Sequence, residues 1–348
     1  MPHRYRIVRD RSLSKLTRRW RFVGVLLILF CLLMAYLFWS ADESSNLQLA
    51  TSKFDQTINN RVDTFSKRVE TYTDMLYAVR GLFIVKNDVS QADWTAFLAT
   101  QSISERYPGI NALAYVYVGP SRQLAQDGSK TLNLPAVGQI YPTPLTDNVG
   151  VVSYIDPYAK YSGTIGYNEF SSSARAAMLT RAGRDGVVRA SSPLELVVSS
   201  STVEKQAAII LALPVYKSGA NLDTPDNRLA AVKGYVMESL YIKPVLDDFA
   251  STLTSAKRMS LSVSTTDGKV IYQNTNNRPV NYIEKTITID IAGQNWQLNF
   301  SAPSDFGLDV ASKAAPLVAL VRGVAVSVVV FGLMVYASGL RFVRHRQS

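Results

Sequence analysis

The side chains that most often carry out chemistry are nearly absent from the middle of this 348-residue chain. Its two histidines, His3 and His345, stand near the two ends, and its one cysteine, Cys31, lies in an uncharged apolar run. The long stretch between them therefore offers no Ser-His-Asp triad, no Cys-His pair and no usual zinc ligand set. It has no thiol to form a disulfide. Aspartates and glutamates remain, yet no spacing among them singles out an acid/base pair of the glycosidase kind. These residue types imply a binding protein: not an enzyme, and with no cofactor or metal.

Two apolar segments define where such binding would take place. Phe22 to Ser40 is uncharged, is bracketed by Trp20 and Trp39, and at about 1.5 Å rise per residue matches the roughly 30 Å of a bilayer core. The second, about Pro316 to Leu340, holds one charge, Arg322, whose long side chain can reach the headgroups. Residues 1–21 carry eight basic side chains against Asp10, a net +7, and Arg341, Arg344 and Arg346 add +3. These sum to the whole +10 of the chain, so the stretch between the tails is neutral. The basic balance therefore reports membrane topology and implies no nucleic-acid partner. Both termini are expected in the cytoplasm, with the central region in the periplasm and membrane lipid around the spans. The apolar run exceeds that of a cleaved signal peptide.

The elements that must position a binding site can be read in outline as an α+β fold. Ile58, Val62, Phe65, Val69, Tyr72, Leu76, Val79 and Phe83 recur in steps of four and three, predicting a long stalk helix over 41–85. That stripe fits either a parallel homodimeric coiled coil or packing on the chain's own globular part. Ser90 should cap a helix to Gln101, and a further helix is expected over Ser173–Ala182 and a short one over Lys243–Thr252. Strands are expected at Gly109–Val118, Gly186–Ala190, Ala207–Lys217 and Ala230–Leu240, and four more within 258–301, the first two meeting at Thr266-Asp267-Gly268. The run AAIILAL suits a strand covered on both faces. The stretch from Ser218 through Pro225 reads as a surface loop.

In this order, Val79-Arg80-Gly81-Leu82-Phe83, YPGINALAYV from Tyr107, SYIDPY from Ser153, GYN from Gly166, Arg175 with Ala176-Ala177-Met178, SSP from Ser191 and LPVYKSG from Leu213 resemble the CHASE domain. The resemblance covers about residues 75–240. It implies an extracytoplasmic sensory module in which a stalk helix carries two PAS-like subdomains, here a membrane-distal one over 86–253 and a membrane-proximal one over 254–309. It also implies a small organic ligand in the distal subdomain. CHASE domains usually precede a kinase or cyclic-nucleotide enzyme, and Arg341–Ser348 are too few for one. The output partner is therefore expected on another polypeptide or on a part separated from this chain. A two-span polysaccharide co-polymerase scaffold has a similar layout, but normally carries a proline-rich motif at its second span.

The resemblance also places candidate contacts. Asn168 falls where cytokinin-binding members carry an aspartate; its amide both donates and accepts, so it could read a planar polar edge, or serve only as a turn residue. Ala190 falls on an apolar contact position. Tyr154 and Tyr216 are candidate pocket aromatics that would equally suit a core. Arg175 fits a helix-surface charge as readily as a functional one.

Overall fold

The computed structural model describes residues 11–86, 89–107, 109–120, 140–142, 148–199, 202–257, 259–274 and 281–344. Residues 1–10 and 345–348, which hold part of the charged tails, and Pro108 of the YPGINALAYV motif lie outside the described residues. The class is α+β. The helices are α1 (Arg11–Val85), α2 (Gln91–Ala99), α3 (Ile103–Arg106), α4 (Tyr158–Tyr161), α5 (Ser173–Asp185), α6 (Pro225–Ala231), α7 (Ile242–Lys257) and α8 (Val310–Arg344). The strands are β1 (Ile110–Pro120), β2 (Asn148–Asp156), β3 (Arg189–Ala190), β4 (Leu194–Ser199), β5 (Thr202–Tyr216), β6 (Val232–Tyr241), β7 (Ser260–Thr265), β8 (Val270–Gln273), β9 (Tyr282–Ile291) and β10 (Gln294–Pro303). They group into two compact units.

One unit comprises the described parts of residues 1–56 and 304–348. Here α1 and α8 each contain a stretch long and apolar enough to cross a membrane. Their outer surfaces are apolar and bare: Phe22, Leu33 and Phe331 are all more than half exposed. Close approach depends on Gly323, where a Cβ would overlap that of Ala35. Asp309 starts α8 by accepting from the Ser312 amide at 2.7 Å. Pro316, inside the same helix, has no N–H to give to the carbonyl four residues back, that of Ser312. Asn46 supplies the missing donor from α1, its Nδ2 lying 2.7 Å from the Ser312 oxygen. Phe54 against Phe306, edge to face at 5.6 Å, closes the same contact.

The other unit, Thr57–Pro303, holds both antiparallel sheets. The larger runs β2-β1-β6-β5-β3 with β4 also on β5, and the smaller runs β8-β7-β10-β9. In the larger sheet Leu113, Glu238 and Leu211 are direct neighbours across β1, β6 and β5, and Ala112, Ser239 and Ile210 form the next row. Successive residues point to opposite faces. One face, with Ala112, Val116, Ile210, Ala212 and Met237, packs with Met178, Leu179 and Ala182 of α5. The other face lies against α1, where Phe83 stacks on Tyr115 at 3.9 Å, Lys233 Nζ donates to the Phe83 carbonyl at 3.0 Å, and Arg68 pairs with Asp248 of α7. Because both faces are covered, Ala208 to Leu213 are all buried.

Local signals account for most boundaries. Ser90 caps α2 in a reciprocal box with Asp93, and Asp267-Gly268 turns β7 into β8 with Gly268 at φ +84°. The expected strand over 186–190 shrinks to Arg189–Ala190, because Gly186, at φ +77°, ends α5 in the left-handed conformation. The expected loop through Pro225 ends sooner, because Thr224 caps the Asn227 amide and Pro225 opens α6.

Most of the stalk stripe is covered by its own chain, with Val62 and Val69 only partly buried. Ile58, Phe65, Tyr72, Leu76, Val79 and Phe83 are buried, whereas Tyr77 is 39% exposed. Leu76→Ala should therefore destabilise the chain by about 2–5 kcal/mol, and Tyr77→Ala by no more than about 0.5 kcal/mol. Denaturant unfolding of the purified chain at several protein concentrations checks this, since a stripe shared between two copies would make the Leu76 effect depend on concentration.

Candidate functional site

A cavity of about 50 Å³ opens on the α5 face of the larger sheet. That is more room than a single buried water needs. Its floor is made of strand residues: Ala112 and Ala114 of β1, Val152 and Ile155 of β2, Leu196 of β4, Ile210 of β5 and Met237, Glu238 and Ser239 of β6. The two alanines are the reason for the space. Strand alternation sends both to this face, where larger side chains would fill it.

Polar groups enter from the opposite side, where Tyr161, Thr164, Glu169 and Arg175 complete the lining. Glu169 begins a 3-10 turn, Glu169–Ser171, and Arg175 sits in the first turn of α5. Arg175 Nη1 donates to Glu169 Oε2 at 2.8 Å, and both side chains are about 95% buried. Its Nη2 donates to the Glu195 carbonyl at 3.3 Å, and its guanidinium stands over the Tyr167 ring at 5.1 Å. Burial alone would lower the Arg175 pKa, but the Glu169 charge and hydrogen bond outweigh it and the net shift is upward. Arg175 is thus an interior charge held by a partner and not a helix-surface one.

At one end Tyr161 donates to Asn111 Oδ1 at 2.7 Å, Asn111 Nδ2 reaches Ser239 Oγ at 3.5 Å, and Lys160 Nζ lies over the Tyr161 and Tyr241 rings. The cavity therefore combines a small apolar floor, a fixed ion pair and the hydroxyls of Tyr161, Thr164 and Ser239. That combination suits reversible binding of a small polar molecule. Among the described residues no cluster of three or more His, Cys, Asp or Glu could hold a metal.

None of the four residues singled out in the sequence is in the lining of this cavity. Asn168 is buried beside Glu169, its Oδ1 accepting from the amides of Gly150 and Phe170, each at 3.2 Å. Its side chain thereby fixes the 3-10 turn that presents Glu169. Ala190 is buried between the sheets, its amide donating to Ala292 and its carbonyl accepting from Gln294. Tyr154 lies on the α1 face, stacked with Trp94 and Tyr115, its hydroxyl donating to the Val89 carbonyl at 2.6 Å. Tyr216, at the end of β5, donates to the Gly183 carbonyl at 2.8 Å. The structure does not bring the four together. Glu169 was legible only as the residue after GYN; alternating Ala112 and Ala114 were the sequence signal for a cavity floor.

Breaking the ion pair from one side leaves a buried charge. Arg175→Met should cost about 3–5 kcal/mol, and adding Glu169→Leu to it should recover much of the loss. Urea unfolding of the two variants beside the parent measures both effects.

The CHASE domain model matches residues 87–280, more than half of the chain. No curated protein sequence shows significant similarity. Among solved structures, the periplasmic sensory domain of a Campylobacter jejuni chemoreceptor aligns at 12% identity with a TM-score of 0.40, covering 76% of this chain and 97% of that one. An extracellular ligand-binding receptor from Desulfohalobium retbaense aligns at the same identity and TM-score, and there the match covers 74% of this chain and 39% of the receptor. With the family motifs in order along the chain, and the matched region enclosing the cavity and its ion pair, this protein belongs to the CHASE domain family.

Proposed function

We propose that the chain is the input module of a two-pass inner-membrane receptor whose central region lies in the periplasm. In this reading the cavity on the larger sheet takes up a small organic ligand. The observation that carries the reading is the placement of that cavity, with its alanine floor and Glu169–Arg175 pair, inside the CHASE-matched residues of a chain that also has two membrane-length apolar helices. The larger sheet with its helices corresponds to a PAS-like distal subdomain over 86–253, and the smaller sheet to a proximal one over 254–309. Asn168 acts on the ligand through the turn that carries Glu169, while Ala190, Tyr154 and Tyr216 hold the frame around the cavity.

Binding shifts a receptor only if ligand favours one of two arrangements. Here α1 is the element through which such a preference leaves the site, since it runs unbroken from Arg11 to Val85. The bare apolar surfaces of α1 and α8 meet lipid. A homodimer, if it uses α1, joins through positions that the chain itself leaves open, such as Leu47 and Tyr77. The signal is read by a kinase or cyclic-nucleotide enzyme.

Two experiments test this reading. Alkaline phosphatase fused after Ser348 should be inactive and fused within the 218–224 loop active; the reverse pattern would remove the periplasmic location. A thermal-shift screen of the purified chain with small polar metabolites should give hits whose affinity falls at least about tenfold in Ala114→Leu, which fills the cavity floor. Hits that bind this variant as tightly as the parent would place the ligand elsewhere.

A further inference from the structure

Glu238 stands in the middle of β6, the strand at the centre of the larger sheet. Glu238 borders the cavity together with its neighbours Met237 and Ser239. Its row partners Leu113 and Leu211, however, lie outside the cluster on the α5 face and its charge is felt by Tyr72 of α1, so strand alternation sends its side chain to the opposite face, against α1. There it is 1% exposed, in a row with Leu113 and Leu211, and neither carboxyl oxygen has a hydrogen-bond partner among the described residues. Other buried charges of this unit are paired, as Arg175 is with Glu169. An apolar residue would cost less at this position, and a carboxylate in such surroundings is among the least favourable groups to bury.

The titratable groups facing it are few. From α1 they are Tyr72, close enough for its ionisation to be affected by Glu238, and farther along Arg68, which is engaged with Asp248 of α7. From the sheet the group is Tyr115, which lies under Phe83. Leu113, Leu211, Met75 and Leu76 supply no charge. Among the described residues the carboxyl therefore meets no cation that would hold it ionised, and the surface pressed on it is the apolar stripe of the long helix.

We propose that Glu238 is a proton-binding site that ties the seating of α1 on the sheet to the proton concentration of the surrounding solution, giving this sensor a second stimulus. With the proton on, the neutral acid is tolerated between helix and sheet. With the proton off, the anion can regain water only if α1 lifts from the sheet. The direction follows from burial, which pushes the Glu238 carboxyl well above its ordinary 4.5. The seated state then holds a proton that the open state releases, so the seating is strongest below about that ordinary value and weakens as pH rises through the range above it. The inference is independent of what the cavity binds.

The test uses the full chain in lipid nanodiscs, as wild type, Glu238→Gln and Glu238→Leu. Infrared difference spectra between about pH 5 and about pH 9 should show a protonated carboxyl band that is lost at the alkaline end in the wild type and missing from both variants. Hydrogen exchange over residues 65–83, corrected for the intrinsic pH dependence, should accelerate in the wild type by up to about tenfold per pH unit and stay level in the variants. A carboxyl band in the wild type that does not change over this range, or exchange that rises equally in Glu238→Leu, would overturn the proposal. The wild-type spectrum decides even if the Gln variant fails to fold.

Discussion

The larger sheet is stable only because something apolar lies on each of its faces, and on one face that is α1. Tyr72, Met75, Leu76, Val79 and Phe83 are essentially without solvent contact, and each such side chain contributes about 1.5–3 kcal/mol of burial free energy. Without the helix, Leu113, Tyr115, Leu211, Val236 and Tyr154 would be left facing water. The sheet's composition follows from this covering: residues 208–215 of β5 are buried along their length, as a strand with only one covered face would not need to be. Helix and sheet are thus a single folding problem, and a helix joined to the sheet in this way cannot move without altering the face it covers.

The cavity uses the other face of the same strands. A close-packed interior normally fills such a volume, and here two alanines on β1 keep it open while α5 and the turn before it bring in charge. Arg175 and Glu169 satisfy each other, and the Glu195 carbonyl and Tyr167 ring take up further faces of the guanidinium, so the polar wall is held in place by the chain's own contacts. Prearranged groups lose less freedom on binding. The central strand β6 borders both this wall and the helix, with Met237 and Ser239 turned one way and Glu238 the other.

Elements defined by local chemistry were legible in the sequence: the Ser90 cap, the Asp-Gly turn, the apolar β5 and the stripe of α1 each rest on neighbours within a few residues. The stripe's partner was not legible, because spacing alone cannot say whether a second copy or a sheet covers it. Nor was the ion pair. Arg175 and Glu169 are six residues apart, but their meeting depends on the 3-10 turn that Asn168 holds with the Gly150 amide, a contact set by β2. The strands β2 and β4 lacked a clear alternation of their own, since β2 is buried at nearly every position. The amide at 168 therefore drew attention as a contact, while the charge beside it lines the cavity.

The hydrogen bond from Asn46 to the Ser312 carbonyl bears on how such helices can be recombined. Because Pro316 leaves that oxygen without its helical donor, the second helix depends there on a residue some 266 positions earlier in the chain. A chimera that grafts α8 onto another first helix would inherit an acceptor with nothing to fill it. The graft would need either the asparagine carried over at the matching height or a residue other than proline at 316. The two helices are therefore a matched set at this one contact.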